Sequence, residues 1–247
     1  MLEAKPGIYP GVTDDEYRAL DAKSASDLKQ WVTGEEVVKP GRHLFIGSVL
    51  HEIIADPVAA GERYATTDSD FKLNTKEGRT AMDAFEMSTG KVGVRPSERA
   101  QIGAMLKALK DHPGSGPVLK AGGWSECACV AELEGVLAKC LVDKLVQKGE
   151  AYTCIVDWKT TSALSQAEFA DSIVKFRYDA SAAYYVDIVH ANTGKFLPFF
   201  WICVSKRSYE VWITRLDPVF YATGRRWYQD VLSLWAQHNT EVVSAAE

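Results

Sequence analysis

Cys154-Ile155-Val156-Asp157-Trp158-Lys159-Thr160-Thr161 is the stretch from which the fold is read. It begins as an apolar, β-branched run and ends by presenting a carboxylate and an ammonium on alternate residues. On a strand, residues two apart point to the same face, so Asp157 and Lys159 share a side and Trp158 takes the other. An Asp-x-Lys pair by itself is common. Its meaning depends on whether the chain brings further acids or a histidine to the same place.

Working outward, the period of two continues upstream. Trp124–Ala131 predicts a strand, Glu132-Leu133-Glu134-Gly135 a turn, and Val136–Leu145 a second strand. Gln147-Lys148-Gly149-Glu150 is a further turn, and the stretch quoted above is the third strand. Strands joined so closely form an antiparallel meander, with Asp143 near the end of the second and Asp157 near the end of the third. Downstream, helical periodicity covers Gln166–Phe176 and Tyr178–Ala191, and on the latter Tyr178, Ser181 and Tyr185 share a face. Leu197–Val204 and Tyr209–Thr214 predict a hairpin. An amphipathic helix follows from Pro218 to His238, with Thr240–Glu247 expected to fray.

The N-terminal half is helical. Thr13 and Ser24 stand as N-caps, Ser24 with Asp27 at capping-box spacing. Phe45, Ile46, Val49, Leu50, Ile53 and Ile54 keep a helical period that Pro57 closes. His51 lies within that helix, one turn beyond Gly47, whose missing side chain admits close approach. The polar run from Tyr64 to Gly78 predicts a surface loop with Lys72, Lys76 and Arg79 available to a polyanion. Helices follow near Glu77–Ser88 and Ser97–Lys110, the second broken by Asp111-His112-Pro113-Gly114. The economical architecture is one mixed α/β (α+β) domain over 1–247: a helical part at 1–120, a sheet core at 121–215 and a C-terminal helix at 218–238.

Composition narrows the class. With 247 residues, 47% hydrophobic and 25% charged, the chain can bury a sizeable core. No run approaches the roughly 20 apolar residues of a membrane span, and no signal-peptide pattern opens the chain. The five cysteines lack paired CxxC spacing, which points to reduced thiols in the cytoplasm rather than to zinc. A formal net charge of -5 argues against a passive nucleic-acid coat, yet leaves room for an enzyme that grips nucleic acid locally.

The chemistry-bearing residues are His51 on a helix, Glu126 and Asp143 on neighbouring strands, then Asp157 and Lys159. Hard divalent cations want oxygen ligands, and Mg²⁺ takes one or two protein carboxylates plus waters and phosphate oxygens. Phosphodiester cleavage needs a deprotonated water and neutralisation of charge at phosphorus, and bound metal serves both. A lysine beside the metal orients or activates that water, or steadies the charge. These residue types suit metal-dependent phosphodiester hydrolysis.

Asp143 followed by Asp157-Trp158-Lys159 resembles the Asp…(Asp/Glu)-x-Lys signature of the PD-(D/E)xK nuclease superfamily. Gly47-Ser48-Val49-Leu50-His51 resembles the Gly-x-x-x-His helix of its exonuclease branch. Over most of the chain the resemblance is to the exonuclease VIII (RecE-type) C-terminal nuclease domain. It is carried by Gly7-Ile8-Tyr9, Ser24-Ala25-Ser26-Asp27-Leu28, Asp56-Pro57, Asn74-Thr75-Lys76-Glu77-Gly78, Ser125-Glu126, Cys140…Asp143-Lys144, Asp157-x-Lys159-Thr160-Thr161 and Arg177-Tyr178.

That resemblance implies the PD-(D/E)xK fold, a central mixed sheet flanked by helices. His51, Asp143 and Asp157 would be metal ligands with the Trp158 carbonyl a further one, the ion being Mg²⁺ with Mn²⁺ able to substitute. Lys159 would act on the water, Glu126 would be an accessory catalytic acid, and Arg177, Tyr178 and Ser181 would meet DNA. The chain departs from the pattern at Ser181, where Gln is usual, and at Leu141, where Arg is frequent. The implied activity is digestion of linear double-stranded DNA from a 5′ end, leaving 3′ single strands for a single-strand annealing protein in recombination. The implied assembly is a homo-oligomeric ring, trimer or tetramer, in the cytoplasm of a bacterial or phage-infected cell. The alternatives are a RecB-like or Cas4-like nuclease acting on single strands, disfavoured by the absence of a four-cysteine cluster, and a catalytically silent DNA-binding protein on the same fold.

Overall fold

The computed structural model describes residues 3–34 and 41–246. In chain order the elements are β1 (Gly7–Tyr9), α1 (Asp14–Ala19), α2 (Ala25–Thr33), α3 (Arg42–Ala55), α4 (Pro57–Arg63), β2 (Tyr64–Thr66), α5 (Lys76–Thr89), β3 (Val92–Val94), α6 (Pro96–Asp111) and α7 (Ser115–Lys120). Then follow β4 (Gly123–Leu133), β5 (Val136–Lys148), β6 (Ala151–Thr161), α8 (Gln166–Lys175), α9 (Tyr178–Thr193), β7 (Phe199–Ser205), β8 (Val211–Arg215) and α10 (Pro218–Ala246).

The central sheet has six strands in the order β1-β4-β5-β6-β7-β8. Its β4–β5–β6 part is the antiparallel meander, and the β7–β8 hairpin pairs parallel to β6 through Ile155↔Phe199 to Thr161↔Ser205. The β4–β5 turn is made by Glu134 and Gly135, both left-handed at φ 49° and 74°, the conformation a two-residue hairpin needs to follow strand twist. The sheet is therefore mixed, and helices cover both faces.

Alternation along β6 fixes which face carries what. Ile155 belongs to a core shared with α2, α8, α9 and α10 (Leu28, Phe169, Ile173, Tyr184, Tyr228), whereas Val156 and Trp158 belong to one shared with α3 and α6 (Val49, Leu50, Ile102, Met105). Asp157 and Lys159, in phase with Ile155, lie on the α8–α9 side. Burial of these two apolar faces, rather than helix propensity, holds the helices in place.

Several local readings differ from the structure. The polar run after Tyr64 opens with β2, which pairs parallel to β3; three-residue strands are too short to leave a period-two signal. Pro57 ends α3 as expected but also starts α4 at its first turn, where a missing N–H costs nothing, with Asp56 accepting from Val58 and Ala59 N–H. The residues after His112 form α7 rather than a plain break. The last helix continues past His238 to Ala246, because neither glycine nor proline intervenes to stop it.

Candidate active site

The β5–β6 ladder runs from Lys148↔Ala151 to Lys144↔Val156 and then ends. In that register the next residues to face each other would be Asp143 and Asp157. The Trp158 N–H that the open ladder would leave without a strand partner donates instead to Asp143 Oδ2 at 2.8 Å. The backbone on one side of the gap thereby fixes the carboxylate on the other. The Trp158 indole is buried in the α3–α6 core, and its backbone N–H is what bonds Asp143 at the site.

Helix α3 brings His51. Its Nδ1 stands 3.5 Å from Asp143 Oδ2. Two features seat the helix. A Cβ on Gly47 would lie 2.6 Å from Thr160 Oγ1 of β6, so glycine lets α3 lie directly on the strand. At its N-terminus Arg42 bonds Glu98 of α6 at 2.9 and 2.6 Å. Burial would raise the Glu98 carboxyl, but hydrogen bonds from Arg42 and Arg95 outweigh it and hold the pKa at about 2.

Asp157 Oδ2 lies 2.5 Å from Lys159 Nζ, an ion pair whose angles miss hydrogen-bond alignment, so this buried oxygen has no aligned donor among the described residues. Burial raises the Asp157 carboxyl and the charge of Asp143 adds to it, against the pull of the Lys159 ammonium. Burial also works against charge on Lys159, but Asp157 and Asp143 overcome it and hold the ammonium above its ordinary pKa. The two carboxylates in this gap thus share the Lys159 ammonium between them.

Glu126 is the residue of β4 opposite Asp143, between the pairs Ser125↔Lys144 and Cys127↔Val142. It adopts φ 45° inside a strand, a left-handed conformation that costs a non-glycine residue energy and concentrates at functional sites. Burial first, then the charges of Asp143 and Glu52, raise its carboxyl. Glu52, next to His51, is held by Tyr64 Oη at 2.6 Å and Arg63 Nη1 at 3.2 Å. It is an acid of this site that sequence reading passed over.

On the α9 side the Tyr178 ring lies 5.3 Å from Lys159 Nζ and 5.9 Å from Lys29 Nζ. Lys29 comes from α2. Its ammonium donates to Ser181 Oγ at 2.8 Å and to the Phe176 carbonyl at 3.1 Å. Burial, then the charge of Lys159, bring its pKa down to about 8. Ser181, expected to meet DNA, accepts the bond that positions this lysine. Arg177 caps α9 in the left-handed region at φ 53°, with Nη1 3.8 Å from Asp179 Oδ2. No pattern announced Lys29, although it directly follows Leu28 of the capping-box segment.

His51, Asp143, Asp157, Lys159, Glu126, Tyr178 and Lys29 therefore surround the end of the β5–β6 pairing. Among the described residues no three His, Cys, Asp or Glu side chains close into a ready-made cage for a cation, since Asp157 is turned to Lys159. The donor set nonetheless fits a hard divalent ion: two carboxylates and an imidazole, with the buried Asp157 Oδ2 lacking an aligned donor.

A family described as a PDDEXK-like domain of unknown function (DUF3799) matches residues 17–240. The chain belongs to this family. The PDDEXK-like domain places it in the PD-(D/E)xK nuclease superfamily and accounts for the mixed sheet with helices on both faces. A crystal structure from Eubacterium rectale, described as "Putative exonuclease", is similar to this PDDEXK-like chain with a TM-score of 0.55 at 15% identity, covering 87% of this chain and 75% of that one. At that identity the likeness speaks for the fold. No curated protein matches the sequence. No helix among the described residues is long and apolar enough to cross a membrane.

Proposed function

We propose that the protein is a divalent-metal-dependent DNA exonuclease of the RecE type, acting on linear duplex ends from the 5′ side and leaving 3′ single strands for annealing. The observation that carries this reading is the convergence of His51, Asp143, Asp157 and Lys159 where β5 and β6 part. The family and the fold likeness to a structure described as "Putative exonuclease" support it.

His51, Asp143 and Asp157 would hold Mg²⁺, or Mn²⁺ in its place. Bound there, the ion would polarise the scissile phosphate and lower the pKa of the attacking water. The chain's own groups do the remainder. The Trp158 N–H pins Asp143 Oδ2, which preorganises the carboxylate before substrate arrives. Lys159, kept protonated by its two carboxylate neighbours, orients the water by donating to it and offsets negative charge developing at phosphorus. Glu126, whose carboxyl is raised, is placed to take up a proton beside Asp143. Lys29 and Tyr178 line the approach on the α9 side and would meet the strand backbone and a base.

Linear duplex DNA with Mg²⁺ should be degraded while covalently closed circles survive, and EDTA should stop the reaction. Asp157→Asn and Lys159→Ala should each lower the rate by a factor of about 100 or more, the scale on which removing a preorganised electrostatic group acts. Metal-independent degradation, or wild-type rates in both variants, would remove the nuclease assignment from this site. A closed ring and an annealing partner belong to the same proposal, and a monomer by sedimentation at working concentration would count against threading of the duplex.

A further inference from the structure

Beside the site, and unused by the chemistry above, lies a recess of about 330 Å³ lined by Arg177, Thr223, Arg226, Trp227 and Asp230 with Ala222 at its edge. It exists because α10 lies against the first turn of α9. A Cβ on Gly224 would lie 2.3 Å from the Asp179 carbonyl, so only glycine permits that approach. The Arg177 guanidinium stands 5.7 Å from the Trp227 ring. Trp227 is partly buried against the core under α9 and α10, which fixes the plane of its indole. Arg226 is exposed and has no ion pair among the described residues. The Arg177 side chain is 42% exposed, and its nearest carboxylate, on Asp179, lies 3.8 Å away.

We propose that this recess holds one nucleotide of the DNA strand that leaves or enters the site. Trp227 stacks on the base, Arg177 and Arg226 take the flanking phosphates, and Asp230 at the rim faces base edges. A fixed aromatic plane next to two guanidinium groups is what a nucleotide offers its own complement to: a π-face and a phosphate. Arg177 of the recess and Tyr178 of the site are consecutive residues at the start of α9. The Tyr178 ring lies 5.3 Å from Lys159 Nζ, and the proposed strand crosses Tyr178 between the gap at Asp157 and the recess. In a protein of net charge -5 the recess sets two arginines against Asp230 and, behind Arg177, Asp179, and the exposed Arg226, which makes no ion pair among the described residues, is the cation best placed to meet a phosphate.

This inference rests on the nuclease reading, and its test is built so that the two can fail separately. Binding of a fluorescein-labelled single-stranded dodecanucleotide is measured by anisotropy in EDTA, where cleavage plays no part, for wild type, Trp227→Leu and Arg226→Gln. Each variant's fold is checked by circular dichroism. Trp227→Leu should weaken binding about tenfold, within the range of one base–aromatic stack. Arg226→Gln should lower the magnitude of the salt slope by about 0.7, the share of one phosphate contact on a single strand. A folded Trp227→Leu with unchanged affinity, an Arg226→Gln with an unchanged salt slope, or a wild type that does not bind the oligonucleotide would each overturn the proposal. Wild type that binds but never cleaves with Mg²⁺ leaves the recess standing and removes the nuclease reading. Cleavage with both variants binding as tightly as wild type does the reverse.

Discussion

Lys29 shows what a single side chain can reveal about this site. Its ammonium is drawn inward to serve Ser181 and the Phe176 carbonyl, and burial with the neighbouring Lys159 charge brings its pKa to about 8 from an ordinary 10.5. In the unfolded chain the lysine keeps its proton up to the ordinary value. Between about pH 8 and that value the unfolded state therefore binds more protons, and stability rises with pH. Below the window the folded state bears the full cost of a buried charge. Compared with Lys29→Met, in which this contribution is absent, wild type should gain several degrees in Tm between pH 7 and about pH 9.5, at roughly 2–4 °C per kcal/mol for a chain of this size. A Tm difference that stays constant with pH would show that the ammonium is not held in this way. Sequence reading reached Asp157 and Lys159 because strand alternation puts them on one face, a local rule. It could not reach Lys29, whose acceptor Ser181 is 152 residues away, and although it named Glu126 it could not foresee that residue's left-handed backbone, since no residue pattern announces φ 45° inside a strand.

Between elements, the placement of His51 depends on how closely α3 can lie on β6. The Gly47 Cα faces Thr160 Oγ1, and an added methyl would sit 2.6 Å from that oxygen. Gly47→Ala should cost about 1–3 kcal/mol, the usual penalty for overpacking, and should shift His51 away from Asp143. Thr160→Ala alone removes little, because it only opens space. Combined with Gly47→Ala it should restore most of the lost stability. In a double-mutant cycle read by urea denaturation, the two substitutions should therefore couple by about 1 kcal/mol or more in the compensating direction. Additive effects would mean that the helix is held off the strand by something else. The element pattern itself was largely readable. The meander, the β7–β8 hairpin and helices α5, α6, α8 and α9 follow from apolar periods of two and 3.6. What escaped were short pieces, β2, β3, α4 and α7, whose existence depends on long-range partners such as the parallel β2–β3 pairing rather than on their own composition.

At the scale of the whole molecule the charge distribution opposes the function proposed for it, and that opposition can be measured. A chain of net charge -5 repels DNA at a distance, so binding must come from the few cations gathered beside the site. Lys159 and Arg177 are partly compensated by Asp157 and Asp179, whereas Lys29 and Arg226 make no ion pair among the described residues. An effective count of about three phosphate contacts per chain gives a slope of log affinity against log salt of about -2 to -3, or a loss of roughly thirtyfold between 50 and 200 mM salt. If several copies enclose one duplex, each brings its own patch and the slope grows in proportion. The slope divided by the number of subunits seen in sedimentation should then stay near -2.5. A per-subunit slope steeper than about -5 would mean that the DNA lies on a basic surface other than this one, and a slope near zero would remove DNA as the partner of the site. Measured together, salt dependence and sedimentation tie the cations gathered beside the site to the assembly in which they act.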